Sequence, residues 1–185
     1  MAHRITLRPI GPEDDQFLAV LYASTREHEL GQVPWSTQDK ASFLRMQFDA
    51  RHRHYATHYP RARSDLVLAD GTPIGRLIVD RSPGEIRVID VALVSAWRNR
   101  GIGGGLLRDL IAESDSSGRP ITISVERFNP ARRLYERLGF EVIADDPVYQ
   151  SMERRPIASN SLLVTSCGHG GAGSSAGGRV RGESC

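Results

Sequence analysis

A glycine-rich turn between a strand pattern and a helix pattern constrains this chain more than any other feature. Residues 91–114 read VALVSAWRNRGIGGGLLRDLIAES, and residues 98–105, here called the glycine turn, contain two arginines and four glycines. Glycine costs conformational entropy when a helix forms, so this composition needs a compensating reason. Free N–H groups at a helix N-terminus bind anions, and glycine lets a phosphate approach them. The glycine turn therefore predicts a site for a phosphate, most directly a pyrophosphate.

Two common phosphate-binding loops match the glycine turn poorly. A P-loop requires GxxxxGK[ST], and the chain's only lysine is Lys40. A dinucleotide fingerprint requires a third glycine where Leu106 stands, and Glu126 comes too late to bind a ribose. A purely structural turn would need only one or two glycines. A nucleotide-binding protein that uses this turn stays an alternative, and it predicts protection by ATP or NAD.

Composition limits the class of protein. The chain is 39% hydrophobic and 25% charged, which is typical of a soluble globular domain, and its net charge of +2 does not indicate nucleic-acid binding. No apolar run approaches the roughly 20 residues that cross a bilayer, and the N-terminus lacks the apolar core of a signal peptide. We therefore expect a cytoplasmic protein with neither a nucleic-acid nor a membrane partner.

The order of hydrophobic patterns predicts an α+β fold. A strand and two helices precede a three-stranded antiparallel meander, and the glycine turn with its helix, a strand, a helix and two strands follow. The result is a mixed, mostly antiparallel sheet of six to seven strands with about four helices. We expect one domain over residues 1–156 and a disordered, glycine- and serine-rich tail over residues 157–185.

Cysteine and histidine usage gives no indication of a metal site. Cys167 and Cys185 both lie in the predicted tail, so the folded body holds no cysteine for catalysis or for a zinc site. His54 and His58 stand four residues apart and can share a helix face. We expect that face to be solvated or to line a cleft, and we expect no metal.

Two motifs resemble those of the GCN5-related N-acetyltransferases. RNRGIG at residues 98–103 matches the signature [QR]-x-x-G-x-[GA], whose loop binds the pyrophosphate of acetyl-coenzyme A in that family. NPARRLYERLGFEV at residues 129–142 is similar to the family's downstream segment. The resemblance covers residues 4–155. It implies the GNAT fold with two splayed central strands, acetyl-coenzyme A as cosubstrate, and transfer to a primary amine of a small molecule or peptide.

The resemblance also implies roles for individual residues. The backbone of Val91, Ala92 and Leu93 would pair with the pantetheine arm, as an added strand would. Asn129 would contact the same arm, although an ordinary helix cap explains it equally well. Tyr135 would protonate the leaving thiolate, and the alternative is a plain core residue. The pyrophosphate would be bound by Arg98, Asn99, Arg100, Gly101, Ile102, Gly103 and Gly104.

The general base is the part of the site that the resemblance leaves unassigned. Some relatives place a glutamate on the fourth strand, and that position here is Arg87. Simple alternation points Ile89 and Val91 inward and leaves the facing of Asp80 and Asp90 open. The implied mechanism is direct attack of a neutral amine on the thioester, with a strand amide near Leu93 stabilising the oxyanion and no acyl-enzyme.

A function of a different class also fits the sequence. The same fold could bind or sense an acyl-coenzyme A without transferring the acyl group. Binding of coenzyme A without turnover of any amine would identify such a module. The identity of the acceptor, the choice of acyl group and the oligomeric state, including a homodimer, stay open.

Overall fold

A computed structural model describes residues 3–157 of the chain. The tail predicted from residue 157 lies, from residue 158 onward, outside the described residues, so its expected disorder stays a prediction. Short 3-10 turns occur at Pro12–Asp14 and Ser95–Trp97. The strands and helices are β1 (Ile5–Pro9), α1 (Asp15–Gly31), α2 (Thr37–His58), β2 (Arg63–Ala69), β3 (Thr72–Arg81), β4 (Ile86–Leu93), α3 (Ile102–Ser117), β5 (Ile121–Glu126), α4 (Arg132–Arg137), β6 (Glu141–Asp145) and β7 (Tyr149–Arg154).

The seven strands form one mixed sheet in the order β1-β2-β3-β4-β5-β7-β6. All neighbouring strands are antiparallel except β4 and β5, which run parallel. β4 and β5 pair only where Ile86–Val88 faces Ile121–Ile123, although β4 continues to Leu93 and β5 to Glu126. The two central strands therefore splay apart, and the predicted α+β class and splay are confirmed.

The helices cover the two faces of the sheet separately. Helices α1 and α2 bury a small core around Leu21, Phe48 and Leu66 on one face. Helices α3 and α4 bury the larger core on the other face, which includes Leu107 and Tyr135. Within residues 3–157, no helix is both long and apolar enough to cross a membrane.

Local signals in the sequence place most element ends. Ser36 caps α2 by accepting a hydrogen bond from the backbone N–H of Asp39 at 3.1 Å. Gly118 ends α3 in the left-handed region with φ 70°. Helix α4 begins at Arg132 rather than directly after Asn129, as a helix cap at that residue would imply, because the intervening residues form a separate turn.

A β-bulge at Ile89 changes which face of the sheet the following residues occupy. Val88 pairs with Val79, and Asp90 pairs with Ile78, so Ile89 is an extra residue in β4. Val88 belongs to the core under α3, and Val91 packs against that same core. The prediction that alternation continues from Ile89 to Val91 is therefore wrong. The bulge turns Asp90 toward α2.

Candidate active site

The glycine turn leaves β4 and enters α3 through two residues with left-handed backbone. Asn99 has φ 60° and Gly101 has φ 80°. Gly101 is the N-cap of α3, and no side chain caps this helix end. Glycine is required at residue 101 because side chains disfavour this φ.

Consecutive backbone N–H groups in the glycine turn have no partner. Among residues 3–157, none of the N–H groups of residues 99–104 donates to an acceptor. The first bonded amide is that of Gly105, which donates to the carbonyl oxygen of Gly101 at 2.9 Å. Such amides require a partner, and an anion at the positive end of the helix dipole satisfies several of them together.

Protein packing does not explain the glycines inside α3. A Cβ atom at Gly103 would lie 3.9 Å from a methyl group of Leu134, which is ordinary contact, and one at Gly105 would meet nothing within 4 Å. Glycine inside a helix is destabilising relative to alanine by about 0.5–1 kcal/mol. Space for a ligand beside the backbone is a physical reason to keep them.

The two arginines of the glycine turn have different surroundings. Arg98 donates from Nε to the carbonyl oxygen of Leu93 at 2.8 Å and from an Nη to the carbonyl oxygen of Ser24 at 3.3 Å. Its side chain thus ties the turn to β4 and α1. Arg100 stacks on the Trp97 ring, with 5.0 Å between its Cζ and the ring centroid, and has no hydrogen bond to residues 3–157.

Helix α1 contacts both sides of the splay. On the β4 side it is bonded to Arg98 through Ser24. On the β5 side, Arg26 forms an ion pair with Glu126 at 3.1 Å. The predicted pantetheine-binding residues lie between these contacts, at the end of β4 beyond its pairing with β5, and each is half-buried: Val91, Ala92 and Leu93.

Tyr135 lies within α4, and Asn129 lies three residues before the start of that helix. The Tyr135 side chain is buried against Phe140, and its hydroxyl makes no hydrogen bond within residues 3–157. Burial, and secondarily the negative charge of Asp90, raises the pKa of Tyr135 to about 12. Exposed Asn129 accepts a hydrogen bond from the Ala131 N–H at 2.9 Å, so its side chain does cap this turn.

A charged cluster beside the splay was not predicted from the sequence. Asp90 pairs with Arg76 on β3 and, at 3.2 Å, with Arg51 on α2. Arg51 also donates to the hydroxyl of Tyr55, whose pKa is raised chiefly by burial. These four residues, here called the Asp90 cluster, come from three separate elements, α2, β3 and β4. The bulge in β4 and the α2 contact together bring them to one place.

The histidine pair lies at the surface of α2. The rings of His54 and His58 stack with centroids 4.0 Å apart, and His58 Nδ1 lies 3.0 Å from the carbonyl oxygen of His54. Both side chains are exposed, as expected for a solvated face. Within the described part of the chain, no three His, Cys, Asp or Glu side chains are grouped as metal ligands.

Comparison with known proteins agrees with this geometry. A family model of the acetyltransferase (GNAT) domain matches residues 62–142. L-amino acid N-acetyltransferase AaaT of Escherichia coli (strain K12) is 25% identical over 135 residues, which is 68% of this chain and 83% of that protein. Mycothiol acetyltransferase of Thermobifida fusca (strain YX) is 30% identical over 142 residues. That match covers 76% of this chain and 41% of the relative.

Solved structures share the fold. The crystal structure of PaiA N-acetyltransferase from Thermoplasma acidophilum, in complex with coenzyme A, has a TM-score of 0.63 and 18% identity over 82% of this chain and 99% of its own. A GCN5-related N-acetyltransferase from Rhodopseudomonas palustris has a TM-score of 0.61 and 14% identity over 84% of this chain and 98% of its own. With the family model, the fold and the RNRGIG turn in agreement, the chain belongs to the GCN5-related N-acetyltransferase (GNAT) superfamily.

Proposed function

We propose that this chain transfers the acetyl group of acetyl-coenzyme A directly to a primary amine of a small molecule or peptide. One observation carries the proposal: the splay of β4 from β5 opens beside the glycine turn, whose amides at residues 99–104 lack partners within residues 3–157. A strand edge and a row of free amides suit a ligand that has both amide groups and a pyrophosphate. The name of the Escherichia coli relative makes L-amino acids the first acceptors to screen.

The residues that would hold the cosubstrate fit it chemically. The free edge of Val91, Ala92 and Leu93 offers backbone groups to the pantetheine amides, and exposed Asn129 lies beyond the end of β5. The turn amides and Arg100 would bind the pyrophosphate. Arg98 would hold the turn in shape through Leu93, besides adding its charge to the site. Asn99, Gly101, Ile102, Gly103 and Gly104 would contribute mainly their backbone N–H groups.

Tyr135 is the proposed proton donor to the leaving thiolate. Acetyl-coenzyme A supplies an activated thioester whose thiol departs as the new amide bond forms. The phenol of Tyr135, with a pKa of about 12, is protonated at neutral pH, so the hydroxyl has a proton to donate. Residues 1–156 contain no cysteine, which agrees with direct transfer rather than a cysteinyl acyl-enzyme.

Thermal unfolding with four ligands tests the proposed cosubstrate. The purified full chain is melted alone and with acetyl-coenzyme A, coenzyme A, ATP or NAD. A ligand at about 100 times its dissociation constant adds roughly 2.7 kcal/mol to the free energy of unfolding, which gives a clear shift. We expect a shift with both coenzyme A compounds and none with ATP or NAD. Protection by ATP or NAD instead would identify a nucleotide-binding protein, and no shift at all would make the glycine turn purely structural.

A further inference from the structure

The Asp90 cluster contains two guanidinium groups and one carboxylate. The side chains of Arg76 and Asp90 are only 8% and 11% exposed, and that of Arg51 is 34% exposed. Tyr55, the fourth member, adds no negative charge, because a phenol is protonated at neutral pH. The cluster therefore carries one positive charge in excess, in surroundings where an unpaired charge is costly.

Several guanidinium nitrogens of the cluster have no acceptor. Arg76 donates from Nε to Asp90, and neither of its Nη atoms has an acceptor within residues 3–157. Arg51 donates from Nε to Tyr55 and from Nη2 to Asp90, and its Nη1 likewise has no acceptor in that part of the chain. None of these nitrogens is among the fully buried, unpaired polar atoms of residues 3–157, so they reach the surface and are accessible to an anionic ligand.

Two glutamates at the ends of the central strands are paired with other arginines. Glu85 pairs with Arg87 at 2.9 Å. Glu126 pairs with Arg26 at 3.1 Å. Neither glutamate is bonded to Arg51 or Arg76.

The position of the cluster distinguishes this anion site from the glycine turn. Asp90 lies three residues before Leu93, which is about 10 Å along an extended strand, and the glycine turn begins beyond Leu93. Asp90 directly precedes Val91, the first of the residues proposed to pair with the pantetheine arm, so the cluster adjoins the proposed cosubstrate site. Phosphates bound by the glycine turn would lie at the other end of this strand segment. If the proposed function holds, the anion at the cluster belongs to the acceptor.

We propose that Arg51 and Arg76 bind a carboxylate of the acceptor, so that the substrate class is an amine that also carries a carboxylate group. A guanidinium matches a carboxylate with two parallel hydrogen bonds. The Arg51 group is held between two aromatic rings, with its Cζ 5.9 Å from the centroid of Tyr22 and 5.3 Å from that of Tyr55. A guanidinium that two aromatic rings already hold in place loses little conformational entropy when it binds a carboxylate. This proposal rests on the proposed acetyl transfer.

The test compares free L-amino acids with the corresponding L-amino acid amides, which keep the amine and lose the negative charge. Coenzyme A release is measured with saturating acetyl-coenzyme A, and binding of each compound to the coenzyme A-saturated protein is measured by calorimetry. We expect kcat/KM for at least one acid to exceed that of its amide by about tenfold or more. Arg51→Gln should remove this preference by raising the KM for the acid. The matched control, Arg53→Gln, changes an exposed arginine of the same helix and should keep it.

Two outcomes overturn the carboxylate proposal. One is that no acid binds or reacts better than its amide. The other is that Arg51→Gln keeps the preference of the unchanged chain. Stabilisation by acetyl-coenzyme A is measured on the same samples. If that stabilisation is present while the acid preference is missing, only the carboxylate proposal fails, and if it is missing, the proposed function fails as well.

Discussion

Arg98 donates from Nε to the carbonyl oxygen of Leu93 at 2.8 Å, so the first residue of the glycine turn is bonded to the last residue of β4. The same guanidinium reaches the carbonyl oxygen of Ser24 on α1 at 3.3 Å. This arginine therefore fixes the shape of the turn in the free protein. Arg100 has no hydrogen bond within residues 3–157, so its side chain is available for a ligand.

The different hydrogen bonding of the two arginines predicts that replacing Arg98 lowers stability, whereas replacing Arg100 weakens ligand binding. Arg98→Ala should lower the free energy of unfolding by about 0.5–1.5 kcal/mol because its backbone hydrogen bonds are lost. Arg100→Ala should leave that free energy within about 0.5 kcal/mol and weaken acetyl-coenzyme A binding, less so at high salt. Urea unfolding and calorimetric titration measure the two quantities. Unchanged affinity of Arg100→Ala at low salt would remove Arg100 from the proposed site.

Substitutions at Gly103 should separate stability from binding. Gly103→Ala should stabilise the free protein by about 0.5–1 kcal/mol, because the new methyl group meets only ordinary contact. Gly103→Glu should abolish acetyl-coenzyme A binding by placing a negative side chain beside the turn amides. Gly84→Glu makes the same change in an exposed turn with open space and should bind normally. Normal affinity of Gly103→Glu would show that the ligand does not approach this backbone.

Tyr135→Phe tests the proposed proton donor. The hydroxyl has no hydrogen bond within residues 3–157, so its removal should leave the fold and the affinity for acetyl-coenzyme A nearly unchanged. Turnover of an accepted amine should fall by about 10–100-fold or more, as for loss of a general acid. Steady-state kinetics with both proteins measure this. Equal kcat values would make Tyr135 a core residue only.

The raised pKa of Tyr135 also predicts a loss of stability at high pH. An unfolded tyrosine ionises near pH 10, whereas the pKa of Tyr135 in the folded protein is about 12. The unfolded chain thus releases this proton first, so the contribution to stability is fully present below pH 10 and is lost as the pH rises to 12. The loss is at most about 1.4 kcal/mol per pH unit.

Urea unfolding at pH 9 and pH 11 measures this effect. Tyr135→Phe should lose less stability between the two pH values than the unchanged chain does. Exposed Tyr149→Phe is the control and should behave like the unchanged chain. An identical pH dependence for Tyr135→Phe would contradict the assigned burial effect.

Removal of the carboxylate from the Asp90 cluster should be strongly destabilising. Asp90→Asn leaves Arg51 and Arg76 without their shared partner, which costs about 3–5 kcal/mol when a buried pair is broken. Asp49→Asn breaks a more exposed pair with Arg45 and should cost about 0–1 kcal/mol. Urea unfolding compares the two variants. Similar small losses would show that the cluster is not a buried charged core.

Features that depend only on neighbouring residues are the ones that a sequence can predict. The cap of α2 at Ser36 and the left-handed end of α3 at Gly118 follow from side-chain and backbone preferences within a few residues. The strand order and the splay were implied by the resemblance to the GCN5-related N-acetyltransferases, which rests on two sequence motifs. The late start of α4 at Arg132 was missed because a separate turn can take the first residues of a helical pattern.

The Asp90 cluster could not be predicted in the same way. A one-residue bulge at Ile89 changes the facing of every later residue in β4, and no residue type in that segment marks it. Arg51 is separated from Asp90 by 39 residues, and only the packing of α2 on the sheet brings them together. The only signal in the sequence was that a carboxylate lies in the strand before the glycine turn.

Product analysis with both substrates present tests the central claim most directly. Acetyl-coenzyme A is incubated with the full chain and a panel of amino acids, polyamines, aminoglycosides and peptides, and both free coenzyme A and acetylated amine are quantified. We expect equal amounts of the two products with at least one amine, and neither product when that amine is omitted. Binding of acetyl-coenzyme A without acetylation of any amine class would contradict the proposed transfer and would identify an acyl-coenzyme A-binding module.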